Sequence, residues 1–221
     1  MLIPHLMFAH MLADYALQTN WLVSKKSEGW FGLLLHGGTV GFMSLFALAP
    51  YIDDVWFPLV VMVAIHTLQD YLKVHFGPQL KVHAFFPYMA DQVLHYGLIL
   101  VIQAWAGGSL SPKPAHAEIL FMWVGTAVIF VTRYYEVTWW ANWLDMIPYM
   151  NRWRVFGYAE RIAMMTLAVA GLWIVAPLCI VPRLFVSYRI GAPIWQQRRG
   201  MLEMGLGVVV SVLTGLGLRL V

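Results

Sequence analysis

The chain has 221 residues, 61% of them hydrophobic and only 11% charged, with a net charge of +3 and a mean hydropathy of +0.69. A soluble domain carries roughly a quarter charged residues, so the composition excludes a soluble globular protein, and basic residues at membrane edges account for the mild positive charge without a nucleic-acid partner. The one cysteine, Cys179, excludes an internal disulfide and a thiolate metal cluster, which leaves nitrogen and oxygen donors for any metal.

A membrane-spanning helix needs ~20 apolar residues. Runs of that kind predict seven spans, near 2–18, 30–49, 55–75, 88–106, 118–137, 157–180 and 200–219. The expected fold is an all-α polytopic transmembrane helical bundle with interfacial helices. Residues 1–106 form a four-helix part and residues 107–221 supply three further spans.

The first span, "MLIPHLMFAHMLADYAL", lacks a basic leader and a small-residue cleavage site, so it is expected to be a retained helix. It carries His10 and Asp14, with Gln18 one turn further on. The second carries His36 next to Gly37 and Gly41, whose spacing suits close backbone approach. The third reads "HTLQDYLK", with His66, Asp70 and Lys73. The fourth reverses the order in "DQVLH", with Asp91, Gln92 and His95.

After the fifth span, "TWWANWLDMIPYMNRWR" has the tryptophans and charges of a helix in the headgroup layer, and "VPRLFVSYRIGAPIWQQRR" reads similarly. Arg133, Glu136, Glu160 and Arg161 fall at predicted span ends, where charges are ordinary. The last span lines up Gly207, Ser211 and Gly215, a small-residue face that packs internally or docks another membrane protein. With the N-terminus outside, nine basic residues fall on the cytoplasmic side and five on the outer side. The positive-inside rule therefore favours that orientation, with the C-terminus inside.

The polar residues of the first four spans are phased. Residues four apart share a helix face, one turn from each other. The first and third spans run toward the same membrane side, so His10 and His66 lie deeper than Asp14 and Asp70. The fourth span returns, and its reversed order puts Asp91 at the aspartate level and His95 at the histidine level. His36 enters from that side too and joins the deeper layer. A charge at mid-bilayer costs ~2.5–3.5 kcal/mol on insertion scales, and a divalent cation balances several carboxylates while accepting neutral imidazole.

The candidate ligands are accordingly His10, Asp14, His36, His66, Asp70, Asp91 and His95. They would hold one or two divalent ions, zinc first, with iron or manganese as alternatives. Gln18, Lys73 and Gln92 support them from outside. A lone buried histidine is usually a hydrogen-bonded packing residue, and a chain of Asp and His also serves as a proton relay. Haem has no use for three acids. His5, His75, His83 and His116 fall at span ends or in loops and are set aside.

The segments "HMLADYALQTNWLVSKKS", "LLLH", "HTLQDYLK" and "DQVLH", in that order, resemble the bacterial membrane family known as domain of unknown function 3307. The resemblance covers residues 10–95 and implies a metal-binding protein of the bacterial inner membrane without an assigned reaction. Two functions follow from the residues. One is a metal-dependent hydrolase acting on a lipid-linked or phosphoester substrate near the cytoplasmic leaflet, with Asp70 or Asp91 as general base. The other is a non-catalytic accessory subunit, stapled by its metal inside a larger respiratory or photosynthetic membrane assembly.

Overall fold

The computed structural model describes residues 1–82, 85–111, 113–140, 147–189, 196 and 198–220, with side chains 20, 85, 134–140, 147–155 and 198–199 outside the description. His83, Glu136 and the expected interfacial stretch 138–154 fall wholly or in their side chains outside the described residues. The described chain is all-α and divides into two compact units, residues 1–126 and 127–221.

In the first unit, α1 (Ile3–Met11) opens with Pro4, whose missing N–H falls where a helix has no acceptor to offer it. Gln103 Oε1 accepts from the backbone N–H groups of Leu2 and Ile3 and so caps α1 from another helix. The helix then widens into a π-helical segment, Leu12–Leu17. Thr19 caps α2 (Asn20–Glu28) by accepting from the Leu22 N–H at 3.3 Å. The sequence reading had no helix there. α3 (Trp30–Ala47), α4 (Ile52–Phe76) and α5 (Phe85–Ala106) complete the bundle, and α6 (His116–Trp140) begins in this unit.

Neighbouring helices alternate in direction. Trp30 stacks on Tyr71 and a Cβ at Gly41 would touch Val63, so α3 and α4 are antiparallel. Phe57 meets Trp105 and Lys73 meets Asp91, so α5 runs against α4. Leu2 lies by Gln103 and Tyr15 by Gln92, so α1 with its π-segment runs against α5. A Cβ at Gly37 would collide with Thr67 Oγ1, so glycine lets α3 pack on α4 beside His36 without displacing that side chain.

The bundle is apolar on both sides. Leu33, Val40, Val55, Leu59 and Ile102 pack the interior, while Phe31, Leu34, Phe42, Trp56, Val60 and Leu100 are exposed. Large apolar side chains facing outward suit a lipid surface. Four stretches are long and apolar enough to cross a membrane: Trp30–Ala47, Ala49–Leu80, His116–Arg133 and Gly200–Leu218.

The second unit departs from the expected topology. The span expected over 157–180 is interrupted, because α7 (Ile147–Val169) stops, Gly171 takes φ +88°, and a 3₁₀ turn at Ala176–Ile180 leads into α8 (Val181–Arg189). Contacts between α7 and α9 (Arg198–Leu218) ascend together: Arg161 with Glu203, Met165 and Ala168 with Gly215, Gly171 with Arg219. The two helices therefore run parallel, where consecutive spans would be antiparallel. Gly207, Ser211 and Gly215 are buried, and a Cβ at Gly215 would strike the Met165 carbonyl and Ala168. At Gly215 that small-residue face packs against α7.

Glu160 and Arg161 are not ordinary span-end charges. Glu203, fully buried, accepts from Arg161 Nη1 at 2.8 Å and Arg183 Nη1 at 2.6 Å. Arg183 Nε also lies 2.9 Å from Glu160 Oε2. The four charges tie α7, α8 and α9 together. Arg161 and Arg183, which the expected topology counts on opposite sides of the membrane, share one carboxylate.

Candidate metal centre

The site lies in the first unit and draws on α1 with its π-segment, α3, α4 and α5. Each donor is placed by an element whose outer face is apolar. On α3, His36 shares the buried side with Leu33, Gly37, Val40 and Ser44, while Leu34, Leu35 and Phe42 point out. On α4, His66 and Asp70 continue the buried line of Val55, Leu59 and Met62. On α5, Asp91 and His95 face inward while Val93 and Leu94 face out. A π-turn inserts extra backbone per turn, and such turns often mark functional positions. Here it carries Asp14, with Oδ1 3.7 Å from His10 Nδ1 and 3.3 Å from His36 Nε2.

Four donor atoms form a close set. Asp14 Oδ1 lies 3.3 Å from His36 Nε2 and 3.8 Å from His66 Nε2. The two imidazole nitrogens are 3.3 Å apart. Asp70 Oδ2 lies 3.3 Å from His36 Nε2 and 3.7 Å from His66 Nε2. Zinc bonds of about 2.0–2.1 Å in tetrahedral geometry separate neighbouring donors by about 3.3–3.4 Å. Two triads, Asp14/His36/His66 and His66/Asp70/His95, each keep their ligand atoms within 4.8 Å of one another. His66 belongs to both.

The remaining candidates stand beside this set. The His95 and His66 rings are 4.1 Å apart between centroids, and the His10 ring is 5.3 Å from that of His95. Asp91 Oδ2 is engaged by Lys73 Nζ at 2.7 Å and Gln92 Nε2 at 3.2 Å. Gln92 in turn accepts from the Tyr15 hydroxyl at 2.7 Å, and Tyr15 bonds Tyr88 at the same distance. Gln18 accepts from Lys26 and so reaches the site only through that lysine. His5 sits apart, its Nε2 2.8 Å from Glu118, which also accepts from Tyr51.

Lys26 is the residue that sequence reasoning missed. It is buried on α2, with Nζ 2.7 Å from Asp70 Oδ2. Its neighbour Lys25 faces out to Glu28, and with Ser24 hydrogen-bonds that carboxyl and holds it below the usual carboxylate range. The sequence offers one signal: "KK" in a short inter-span loop places one lysine outward and one inward once the loop is a helix. Several polar atoms in the site have no hydrogen-bond partner among the described residues: Asp14 Oδ1, His10 Nε2, Asp91 Oδ1 and both nitrogens of His95.

Residues 2–121 match the model of a family described as protein of unknown function (DUF3307). No curated protein and no solved structure matches the chain.

Proposed function

Because the chain belongs to the DUF3307 family, whose description assigns no activity, we propose its function from the site itself: it is an integral-membrane protein that binds a divalent metal ion within its N-terminal helical bundle. The donor spacing around Asp14, His36, His66 and Asp70 carries this reading. Each carboxylate oxygen lies 3.3–3.8 Å from both imidazole nitrogens, which are 3.3 Å apart, near the donor separations around one ion. Two aspartates and two neutral imidazoles suit zinc, with iron or manganese also served by such donors. Bound there, the ion supplies positive charge and Lewis acidity. The chain's own part is to present the two carboxylates in an apolar surrounding, to fix His36 beside Gly37, and to fasten α1, α3 and α4 to one point.

A second reading is a metal-dependent hydrolase of a lipid-linked or phosphoester substrate. The partnerless atoms of Asp91 and His95 favour it, because a buried polar group left unbonded costs about 1–3 kcal/mol and persists where it has a use. Asp91 keeps Oδ1 free as a base while Lys73 holds Oδ2. Asp70 is the weaker base candidate, since its Oδ2 faces Lys26 and both imidazoles.

The test is elemental analysis of protein purified in mild detergent without chelator, beside His36→Ala and His66→Ala. The proposal expects stoichiometric zinc, iron or manganese in the wild type and its loss in both variants. A metal-free wild type refutes it.

A further inference from the structure

Three carboxylates, two lysines and four histidines meet in this site, and the lysines are not spread evenly among the acids. Lys26 stands on Asp70 at 2.7 Å and Lys73 on Asp91 at 2.7 Å. Among the described residues, no lysine or arginine lies within 4.0 Å of the Asp14 carboxylate, which meets only histidines. Asp14 is thus the acid whose charge is left for something else to balance.

Nor do the donors present two separate sites. The two triads share His66, and Asp70 Oδ2 is within 3.3–3.7 Å of both imidazoles of the first. Once Asp14, His36, His66 and Asp70 are used, a second ion has only His10, His95 and Asp91. There Lys73 Nζ already sits against Asp91 Oδ2, with Gln92 Nε2 on the same oxygen and His95 Nδ1 at 3.6 Å. An ammonium in that place supplies the positive charge a second ion would bring.

The balance of charge agrees. With neutral imidazoles, three carboxylates and two ammonium groups sum to −1. One divalent ion brings the site to +1 and two bring it to +3, in surroundings where uncompensated charge is expensive.

We propose that the centre is mononuclear by construction: one ion takes Asp14, His36, His66 and Asp70, and Lys73 is a built-in cation that fills the second position. This rests on the metal-binding reading above. It assigns Lys73 a positioning role beyond that of an interfacial side chain reaching for water.

The experiment is equilibrium dialysis of the full-length protein in detergent against excess Zn²⁺, with bound metal measured by mass spectrometry. Co²⁺ is substituted in parallel to read coordination number from its visible spectrum. Wild type is expected to hold one equivalent, four-coordinate in the cobalt form. Lys73→Met is expected to hold two, and Asp91→Asn is expected to keep one. Size-exclusion elution and helical circular dichroism identify folded variants. If Lys73→Met does not fold, Asp91→Asn still decides, because loss of the ion in that variant overturns the assignment. Two equivalents in wild type, or one in folded Lys73→Met, also overturn it while leaving the metal-binding reading intact. No bound metal in wild type brings down both.

Discussion

Substituting Glu203 by glutamine tests whether the charge network of the second unit holds α7, α8 and α9 together. The change keeps the side-chain volume and removes one charge from the carboxylate that receives Arg161 at 2.8 Å and Arg183 at 2.6 Å. All three groups are at most 2% exposed, so solvent screening does not soften the loss. Removing one partner of a buried ion pair typically costs about 3–5 kcal/mol. Arg183 keeps Glu160 at 2.9 Å, which puts the expectation at the lower end, about 3 kcal/mol. At about 1.4 kcal/mol per factor of ten, that raises the opening equilibrium of the unit roughly 10²-fold. The assay is hydrogen–deuterium exchange in detergent, read on peptides from α7 and α9. Protection should fall by that factor in both helices and stay unchanged in α3 and α4. Replacing Arg161 and Glu203 together by methionine should recover most of the loss, because apolar replacement of a whole buried pair is often near neutral. A change below about fivefold in Glu203→Gln would refute the reasoning, since a partner lost from dry surroundings does not cost so little.

Other outcomes follow from the first unit. His66→Ala should abolish stoichiometric metal and lower the unfolding temperature more when wild type is metal-loaded than when it is metal-free, because a ligand stabilises only the state that binds it. Gly37→Val should destabilise by about 1–3 kcal/mol and weaken metal binding together, since its side chain must displace Thr67 and the α4 register that presents His66. Thermal unfolding and metal titration on one preparation check both. Tyr51→Phe removes the 2.6 Å bond to Glu118 and should cost about 1–2 kcal/mol while leaving bound metal unchanged.

The layering of the site was legible because it depends on helix period and direction alone. Once α4 and α5 are antiparallel, the inverted order of Asp91 and His95 brings them level with Asp70 and His66. The π-segment at Asp14 was not legible, because an i, i+4 pair reads the same whether the backbone follows an α or a wider turn. Lys26 was hidden for a different reason. Charge counting treats a loop lysine as a marker of membrane side, and only the packing of α2 against α3 and α4 turns one of the pair inward. In the second unit, hydropathy ran unbroken from Ile162 to Ile180 because Gly171 and the 3₁₀ turn sit among apolar residues. Arg161, Arg183 and Glu203 carry no motif, and their separations of 42 and 20 residues from acid to base follow no period.

Those separations also set an order of events during synthesis. The bundle that holds His10 through His95 has all its partners once α5 has left the ribosome, and N-terminal elements generally fold first. α7 emerges with its arginine while the carboxylate that receives it is still 42 residues from being made. An arginine without its acid is costly in the bilayer interior, and the packing of α7 against α9 cannot be completed before Glu203 has been made. A chain stalled short of Glu203 would carry the complete N-terminal bundle and a second unit without the carboxylate that joins α7, α8 and α9.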